Sequence, residues 1–366
     1  MHRHHDQTDA GRGRTSRRKA TLRRSLLRRR FNEVLVFLAA SLALGCSASP
    51  RDFHSPIPVP ERFSTSGPRE RDAHWWKDFR DPNLNAAIQQ ALSSNLSLRT
   101  VWDRLAQAEA IARKEGAGLL PSVHLDASAS RTRTQTGDVA TYDSRVGLEA
   151  AAGYEIDLWG RVRSQREAAL LDVRAGALEV QAAAVSLSAS VASTWYRLAE
   201  ALAQVRVLAS QKETNEQLLD LVTLRFQQGQ VRAADVLQQR QLVQSSDGLL
   251  ALAEQRVDAL RHQLAILMGK PPKADMDMPE PSLVQPGPLP RTGVPAEWMQ
   301  RRPDVRGAYL ALQAQDRRLA SAIAARYPRL SLTAGLETSG SKTRFLFDNW
   351  LANLAANLAQ PLFEGG

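Results

Sequence analysis

The chain has 366 residues, of which 6% are aromatic and 23% are charged, and it contains a single cysteine. Its net charge of +10 would suit a nucleic-acid partner, but residues 1–45 hold eleven Arg or Lys against three Asp or Glu, so that only +2 remains for residues 46–366. The body of the protein therefore has no basic field for binding phosphates, and we predict no nucleic-acid partner. A lone cysteine also excludes an internal disulfide.

The first 45 residues have the layout of a bacterial export signal. An Arg-rich stretch from Arg12 to Arg30 precedes an apolar run from Val34 to Leu44. This run is too short to span a bilayer, because a spanning helix needs about 20 residues. Gly45 and Cys46 follow directly, and this order is similar to a lipobox, whose cysteine becomes the acylated first residue of the mature protein. We therefore predict a signal peptide over residues 1–45 and lipidation at Cys46; the alternative is an ordinary cleaved signal with an incidental cysteine.

Two helices are predicted after a flexible arm. Residues 46–74 are rich in Pro, Ser, Arg and His, which is typical of a tether. Asp81 and Pro82 then mark a helix start, and apolar residues recur on one face at fourfold spacing (Leu84, Ile88 and Leu92). A longer helical pattern covers residues 98–116 and ends before a proline.

Two segments of alternating apolar and polar residues follow, over residues 123–130 and 145–158. This alternation predicts β-strands that have one apolar face, and the polar segment between them is predicted to be a loop. Two structures fit the pattern: a soluble hairpin that covers a helical core, and the wall of a transmembrane β-barrel. A barrel would require an oligomer, because open sheet edges cannot face lipid and known membrane barrels start at about eight strands.

The longest predicted element is a helical hairpin. Residues 161–226 contain no proline and one glycine, and a helix of this length would be on the order of 100 Å long. Apolar residues recur at sevens (Leu171, Leu178 and Val185), as in coiled coils. After a reversal near Gly229, where a positive φ angle favours glycine, a second helix is predicted over residues 233–268.

The chain then repeats its first motif. Trp102 and Tyr309 lie 207 positions apart, and so do Pro121 and Pro328. Two further alternating segments, around residues 330–337 and 350–358, follow the second proline. The chain therefore carries four predicted strands, and each pair of strands ends at a glycine (Gly160 in the first copy, Gly365 and Gly366 in the second).

This repetition predicts the domain organisation. After the signal and the arm we expect a first repeat over residues 75–270, a Pro-rich connector over residues 271–295, and a second repeat over residues 296–366. The second repeat is expected to be incomplete, because it stops before its own helical hairpin. No residue set points to catalysis: the histidines lack metal-ligand spacing, and there is no Gly-rich phosphate loop or nucleophile elbow. We predict neither an enzyme nor a metal or cofactor site.

The order of these features resembles the TolC-like outer-membrane efflux proteins, and most closely their NodT-type lipoprotein branch. The matching stretches are Trp75 to Leu84, Tyr154 to Arg161, Arg225 to Val236, Arg301 to Val305 and Gln360 to Gly366. The resemblance implies an α+β membrane protein whose long α-helical hairpins form a periplasmic tube. It also implies a homotrimer in which each protomer gives four strands to one shared 12-stranded transmembrane β-barrel.

The function implied by the resemblance is conduction. The protein would be the exit duct of a tripartite efflux system, lipid-anchored in the outer membrane of a Gram-negative bacterium. Its implied partners are an inner-membrane pump of the resistance-nodulation-division type, a periplasmic adaptor and outer-membrane lipid. Two alternatives remain at this point: an envelope-anchored coiled-coil scaffold or adaptor, which would not need four lipid-competent strands, and a non-functional truncated copy of an efflux channel.

The resemblance also assigns roles to individual residues. The hairpin reversal corresponds to the periplasmic tip that the adaptor contacts, and the residues that match its pattern are Arg225, Gly229, Val231 and Asp235. The junction between barrel and tube corresponds to Gly160, Gly365 and Gly366. For the tip, a purely structural interpretation is equally open, in which glycine permits the turn and the aspartate favours the start of the returning helix.

Overall fold

The computed structural model describes residues 61, 63, 74–274, 279–285, 287–288 and 291–363. Cys46, Gly365 and Gly366 lie outside these ranges. The regular elements within them are α1 (Pro82–Ser94), α2 (Leu96–Ala117), β1 (Ser122–Thr136), β2 (Val139–Ile156), α3 (Arg161–Gln227), α4 (Ala233–Leu267), α5 (Pro295–Arg301), α6 (Pro303–Ala324), β3 (Arg329–Gly340) and β4 (Trp350–Ala359). Short 3-10 turns lie at Trp75–Phe79 and Thr343–Phe345.

The first helix begins where the sequence predicts, and its capping residue also holds it to the rest of the protein. One carboxylate oxygen of Asp81 accepts hydrogen bonds from the backbone amides of Asn83 and Leu84, each at 3.0 Å. The other oxygen accepts the indole N–H of Trp195 in α3 at 2.8 Å. Asp81 is only 8% exposed, so these bonds satisfy a carboxylate that would otherwise be costly to bury.

The main hydrophobic core lies where α1 packs against α3 and α4. Its most deeply buried side chains come from all three helices (Leu84, Ile88, Val191, Trp195, Leu198, Leu264 and Met268). Tyr196 lies beside this core, and burial raises the pKa of its phenol to about 12. The core therefore joins α1 to the end of the α3–α4 hairpin that lies away from its turn.

The 67 residues of α3 confirm the predicted long helix. By length and composition alone, one stretch of it is apolar enough to cross a membrane. However, Val191, Trp195 and Leu198 are each at most 2% exposed, because they pack into the core with α1 and α4. The apolar stretch itself is 28% buried, and α3 contacts α1, α2, α4 and α6, so we assign α3 to a packed helical layer.

The distal half of the α3–α4 hairpin is held together differently. No described α3 residue beyond Leu208 is buried. Polar side chains connect the helices there: Asn215 donates from Nδ2 to Ser246 Oγ at 2.8 Å, and Lys212 pairs with Asp247, whose hydrogen bond raises the pKa of the lysine. Large apolar side chains on the same half remain exposed (Leu218, Leu221, Leu224, Leu237, Leu242 and Leu249). This half of the hairpin therefore has almost no apolar core of its own.

The four strands form one antiparallel sheet in the order β1-β2-β3-β4. Its register places Val123 opposite Ala152, Ala152 opposite Ala334, and Ala334 opposite Leu354. Because side chains alternate between faces with a period of two, this register brings the apolar residues of all four strands to the same face. The sequence predicted the alternation of each strand, and the pairing makes the faces coincide.

The segment predicted to be a loop between the first two strands is mostly strand. β1 continues to Thr136, β2 begins at Val139, and the chain reverses over Gly137 and Asp138 alone. The prediction was wrong because it equated a polar sequence with a loop. Thr and Tyr favour strands, and a two-residue turn with glycine suffices for a hairpin even when both faces are polar.

Candidate functional site

The sheet has two unpaired edges. β1 and β4 lie at its ends, and no strand in the part of the chain that the structure describes pairs with their outer sides. Every residue of both strands is exposed, including large side chains of the apolar face such as Val123 (76% exposed) and Leu354 (81%). A row of unpaired N–H and C=O groups and an uncovered apolar face both require a partner or a different solvent.

The height of the apolar face matches a lipid bilayer. On β2 this face runs from Val146 to Ile156, and these ten residue steps span roughly 34 Å at ~3.4 Å per residue. With the strand tilt of about 40° that membrane barrels show, the vertical height becomes roughly 26 Å, close to their apolar band of about 25 Å. The sheet therefore has the dimensions of a membrane-barrel wall.

The opposite face of the sheet is polar. Asp126 stands opposite Glu149, and Glu149 stands opposite Glu337, so three carboxylates form a row across three strands. Arg145 donates from Nη2 to Glu337 Oε1 at 3.4 Å and to the Ser339 hydroxyl at 3.1 Å. A sheet with one apolar and one charged face separates a lipid side from an aqueous side.

A sharp change of direction leads from β2 into α3. Gly160 precedes the helix with φ +73°, a conformation that costs other residues about 1–2 kcal/mol. Glycine has no side chain to cap the helix, and Asp157 takes over that role. Its two carboxylate oxygens accept the backbone amides of Val162 at 3.1 Å and Arg163 at 2.8 Å.

An ion pair reinforces this junction. The Arg161 guanidinium donates from Nη2 to both carboxylate oxygens of Glu155, at 2.8 and 2.7 Å, and from Nε to one of them at 3.0 Å. This hydrogen bonding raises the pKa of Arg161. Because the Glu155–Arg161 pair joins the end of β2 to the first turn of α3, it resists rotation of the strand against the helix.

The junction is also tied to the second repeat. The indole N–H of Trp159 donates to the Pro328 carbonyl at 2.8 Å, and its ring stacks on Tyr327 at 4.9 Å between centroids. The hydroxyl of Ser321 donates to the Arg161 carbonyl at 3.0 Å. Sequence analysis missed these contacts, although the repeat itself was a signal for them, since it places both segments at the helix end of the sheet.

The turn between α3 and α4 brings the four predicted tip residues into one short segment. Gly229 has φ +71°, and its amide donates to the Phe226 carbonyl at 2.9 Å. The Gln230 amide donates to the Arg225 carbonyl, also at 2.9 Å. A Cβ at Gly229 would meet nothing within 4 Å, so the backbone angle and not the available space demands glycine here.

The returning helix starts with a carboxylate cap. Asp235 Oδ2 accepts the backbone amide of Arg232 at 2.8 Å, and the Asp235 amide donates to the Arg232 carbonyl at 3.0 Å. Val231 is partly exposed and Arg225 is exposed, and among the described residues Arg225 is in no ion pair. Gly229 and Asp235 thus form the turn, whereas Arg225 and Val231 are presented to the surroundings.

Comparison with known proteins gives consistent results. A family model described as outer membrane efflux protein matches residues 87–270 and 294–366. The chain is 31% identical over 346 residues to the pyoverdine export outer membrane protein OpmQ of Pseudomonas aeruginosa, a match that covers 91% of this chain and 73% of OpmQ. It is 30% identical over 353 residues to the toluene efflux pump outer membrane protein TtgF of Pseudomonas putida, with 90% and 73% covered.

A solved structure shares the fold. The open state of the MtrE outer membrane channel of Neisseria gonorrhoeae superimposes with a TM-score of 0.72 at 28% sequence identity. The match covers 87% of this chain and 73% of MtrE. The chain therefore spans about three quarters of the length of these proteins.

Two glycines of the hairpin are expected to respond oppositely to alanine. Gly229→Ala forces an L side chain into the left-handed region, so we expect it to lower the free energy of unfolding by about 1 kcal/mol. Gly248→Ala, on an exposed α4 position where a Cβ meets nothing within 4 Å, replaces a poor helix former and should raise it by about 1 kcal/mol. Loss of the helical circular dichroism signal with urea measures both, and equal effects of the two variants would contradict the assigned turn geometry.

Proposed function

Because the chain belongs to the outer membrane efflux protein family, we propose that it is the exit duct of a tripartite efflux system. It conducts substrates passively across the outer membrane, after an inner-membrane pump has loaded them and a periplasmic adaptor has bridged the gap. The description of the family, outer membrane efflux protein, supports conduction and not a catalytic step as the proposed activity. The observation that carries the proposal is an open four-stranded sheet with one apolar face, which passes directly into a 67-residue helix.

The two open edges support a barrel that several copies build together. An antiparallel sheet of four strands has edge strands that run in opposite directions. The β4 edge of one copy can therefore pair antiparallel with the β1 edge of the next, and the repetition closes a ring. Closure satisfies every backbone group, and each unsatisfied group in lipid would cost several kcal/mol.

The need for a pore sets a lower limit on the number of copies. Two copies would give about eight strands, and the interior of such a barrel is filled by its own side chains. Three copies give about 12 strands, which leave room for an aqueous channel lined by the polar face. We propose three because the resemblance to the outer-membrane efflux family implies a homotrimer, in which each of the two repeats, residues 75–270 and 296–366, contributes two strands per protomer.

The helices extend this pore into the periplasm. The exposed leucines on the distal half of the α3–α4 hairpin gain apolar partners when hairpins of neighbouring protomers pack side by side. Gly160 turns the chain from barrel to tube, and we propose the same role for Gly365 and Gly366, outside the described residues. A coiled-coil scaffold would use the hairpin but would leave the apolar face of the sheet without a purpose.

Lipidation at Cys46 is the proposed membrane anchor. It rests on the order of an Arg-rich stretch, an apolar run, Gly45 and Cys46 in the leader. Cells grown with labelled palmitate are expected to label the wild-type protein and not Cys46→Ala. Label retained on Cys46→Ala would show that the cysteine is not the acylated residue.

Disulfide trapping tests the shared barrel. Val123→Cys on β1 is combined in turn with Leu354→Cys, Ala356→Cys or Leu358→Cys on β4, so that one pair falls in register across a subunit boundary. Within one chain these positions are separated by two intervening strands, about 14 Å, which exceeds the reach of a disulfide, about 7 Å between Cα atoms.

Every bond between the two introduced cysteines therefore joins two copies. We expect oxidation of one combination to give covalent species up to three chains in non-reducing electrophoresis, while each single variant serves as the control that reports background from Cys46. A ladder that ends at two chains, or none in any combination, would contradict the trimeric barrel.

Photo-crosslinking tests the adaptor contact at the tip. A photoreactive residue is placed at Arg225 or Val231, and at Arg206 as the control, an exposed α3 position roughly 28 Å from Arg225 along the helix. We expect both tip positions to capture a periplasmic adaptor protein, identified by its peptides, and Arg206 to capture it at least tenfold less. Equal capture at all three positions would remove the tip from the contact.

A further inference from the structure

Two arginines continue the apolar face of the sheet beyond its apolar band. Odd-numbered residues of β1 share this face, from Val123 to Ala129 and then Arg131 and Arg133. Tyr142 of β2 stands opposite Arg133. The guanidinium carbons of Arg131 and Arg133 lie 5.2 and 5.9 Å from the centroid of its ring. Arg131, Arg133 and Tyr142 thus form one Arg–Tyr cluster on the lipid side of the sheet.

The Arg–Tyr cluster lies at the depth of lipid headgroups. Ala129 opposite Val146 is the last apolar pair of these two strands. Arg131 is two residues farther along and Arg133 four, which places them roughly 5 and 10 Å beyond the apolar band at the strand rise and tilt used above. The headgroup layer on each side of the hydrocarbon core is about 5–7 Å thick, so the backbone of Arg131 lies within it and that of Arg133 about 3–5 Å beyond it.

The cluster carries positive charge without an acidic partner. Among the described residues neither arginine is in an ion pair, and Arg133 Nη2 donates to the amide oxygen of Gln135 at 3.2 Å. Of the two acidic residues nearest the cluster along the hairpin, Asp143 pairs with Thr132 and so belongs to the opposite face, and Asp138 lies in the turn. The β3–β4 connection at the same end of the sheet contains two basic residues, Lys342 and Arg344, and one acidic residue, Asp348.

Two neighbouring guanidinium groups suit a phosphate. Arginine presents a planar fork of N–H donors that matches phosphate oxygens in pairs, and tyrosine is typical of the membrane interface. The cluster lies at the end of the sheet away from the helices, and hence in the outer leaflet if the helices occupy the periplasm. We propose that the Arg–Tyr cluster binds the phosphate groups of outer-leaflet lipopolysaccharide, an inference that rests on the barrel placement proposed above.

A variant that moves the two arginines to the other face of β1, without changing the amino-acid composition, tests this site. Residues 131–134 read Arg-Thr-Arg-Thr, so the variant R131T/T132R/R133T/T134R keeps the net charge and composition but moves both guanidinium groups to the lumenal face. R131Q/R133Q removes them without adding a charge elsewhere. The purified full chain is placed in zwitterionic phospholipid nanodiscs and titrated with bisphosphorylated lipid A and with dephosphorylated lipid A, and channel conductance is recorded for the same samples.

For the wild-type chain we expect bisphosphorylated lipid A to bind roughly 30-fold more tightly than the dephosphorylated form, given the typical contribution of two basic side chains at a charged surface. Both variants should lose this preference, and R131Q/R133Q, which adds no charge to the lumenal face, should leave the conductance unchanged. Millimolar inorganic phosphate should fail to displace the lipid, which distinguishes a lipid headgroup from free phosphate.

Other results would overturn the inference. Equal binding of the two lipid A forms by the wild-type chain, or an unchanged preference in the face-exchanged variant, would exclude the cluster as the binding site. Displacement by free phosphate would exclude the lipid as its specific ligand. A lipid preference without conductance in the wild-type chain would support the lipid site and contradict the exit-duct function. Conductance without a lipid preference would support the exit-duct function and contradict the lipid site.

Discussion

Backbone hydrogen bonding inside a bilayer is the constraint on which the rest of this structure depends. Each protomer brings a sheet whose apolar face favours lipid, but β1 and β4 leave two rows of unpaired N–H and C=O groups. Lipid offers these groups no partner, so the sheet is stable there only when other copies complete it. The apolar face accounts for where the sheet lies, and the edges account for why one chain is not enough.

Contacts at the junction transmit this constraint to the helices. Asp157 caps α3 directly below the sheet, the Glu155–Arg161 pair stiffens the same turn, and Trp159 links it to the second repeat through the Pro328 carbonyl. Because strand and helix are joined rigidly, closing the strands into a ring also arranges the helices around the same axis. A tube below the barrel is thus a consequence of barrel closure.

The two ends of the hairpin serve different purposes. At the end of the hairpin away from its turn, α1, α3 and α4 share an apolar core that includes the buried Asp81–Trp195 hydrogen bond. Toward the tip, polar pairs such as Lys212 with Asp247 replace the core. Polar contacts that are open to water contribute little stability, so within one chain the distal half is the less firmly held part of the hairpin.

The sequence by itself determined the local elements: the long helix, the reversal at Gly229, the strand alternation and the repeat. Each of these depends on a period or a backbone angle that neighbouring residues specify. It identified the tip residues and Gly160 as candidates, but it missed the Asp81–Trp195 and Trp159–Pro328 contacts and the strands over residues 131–136 and 139–144. Only the tertiary structure decided these features, because they depend on partners more than a hundred residues away or, for the polar strands, on backbone pairing that leaves no apolar pattern in the sequence.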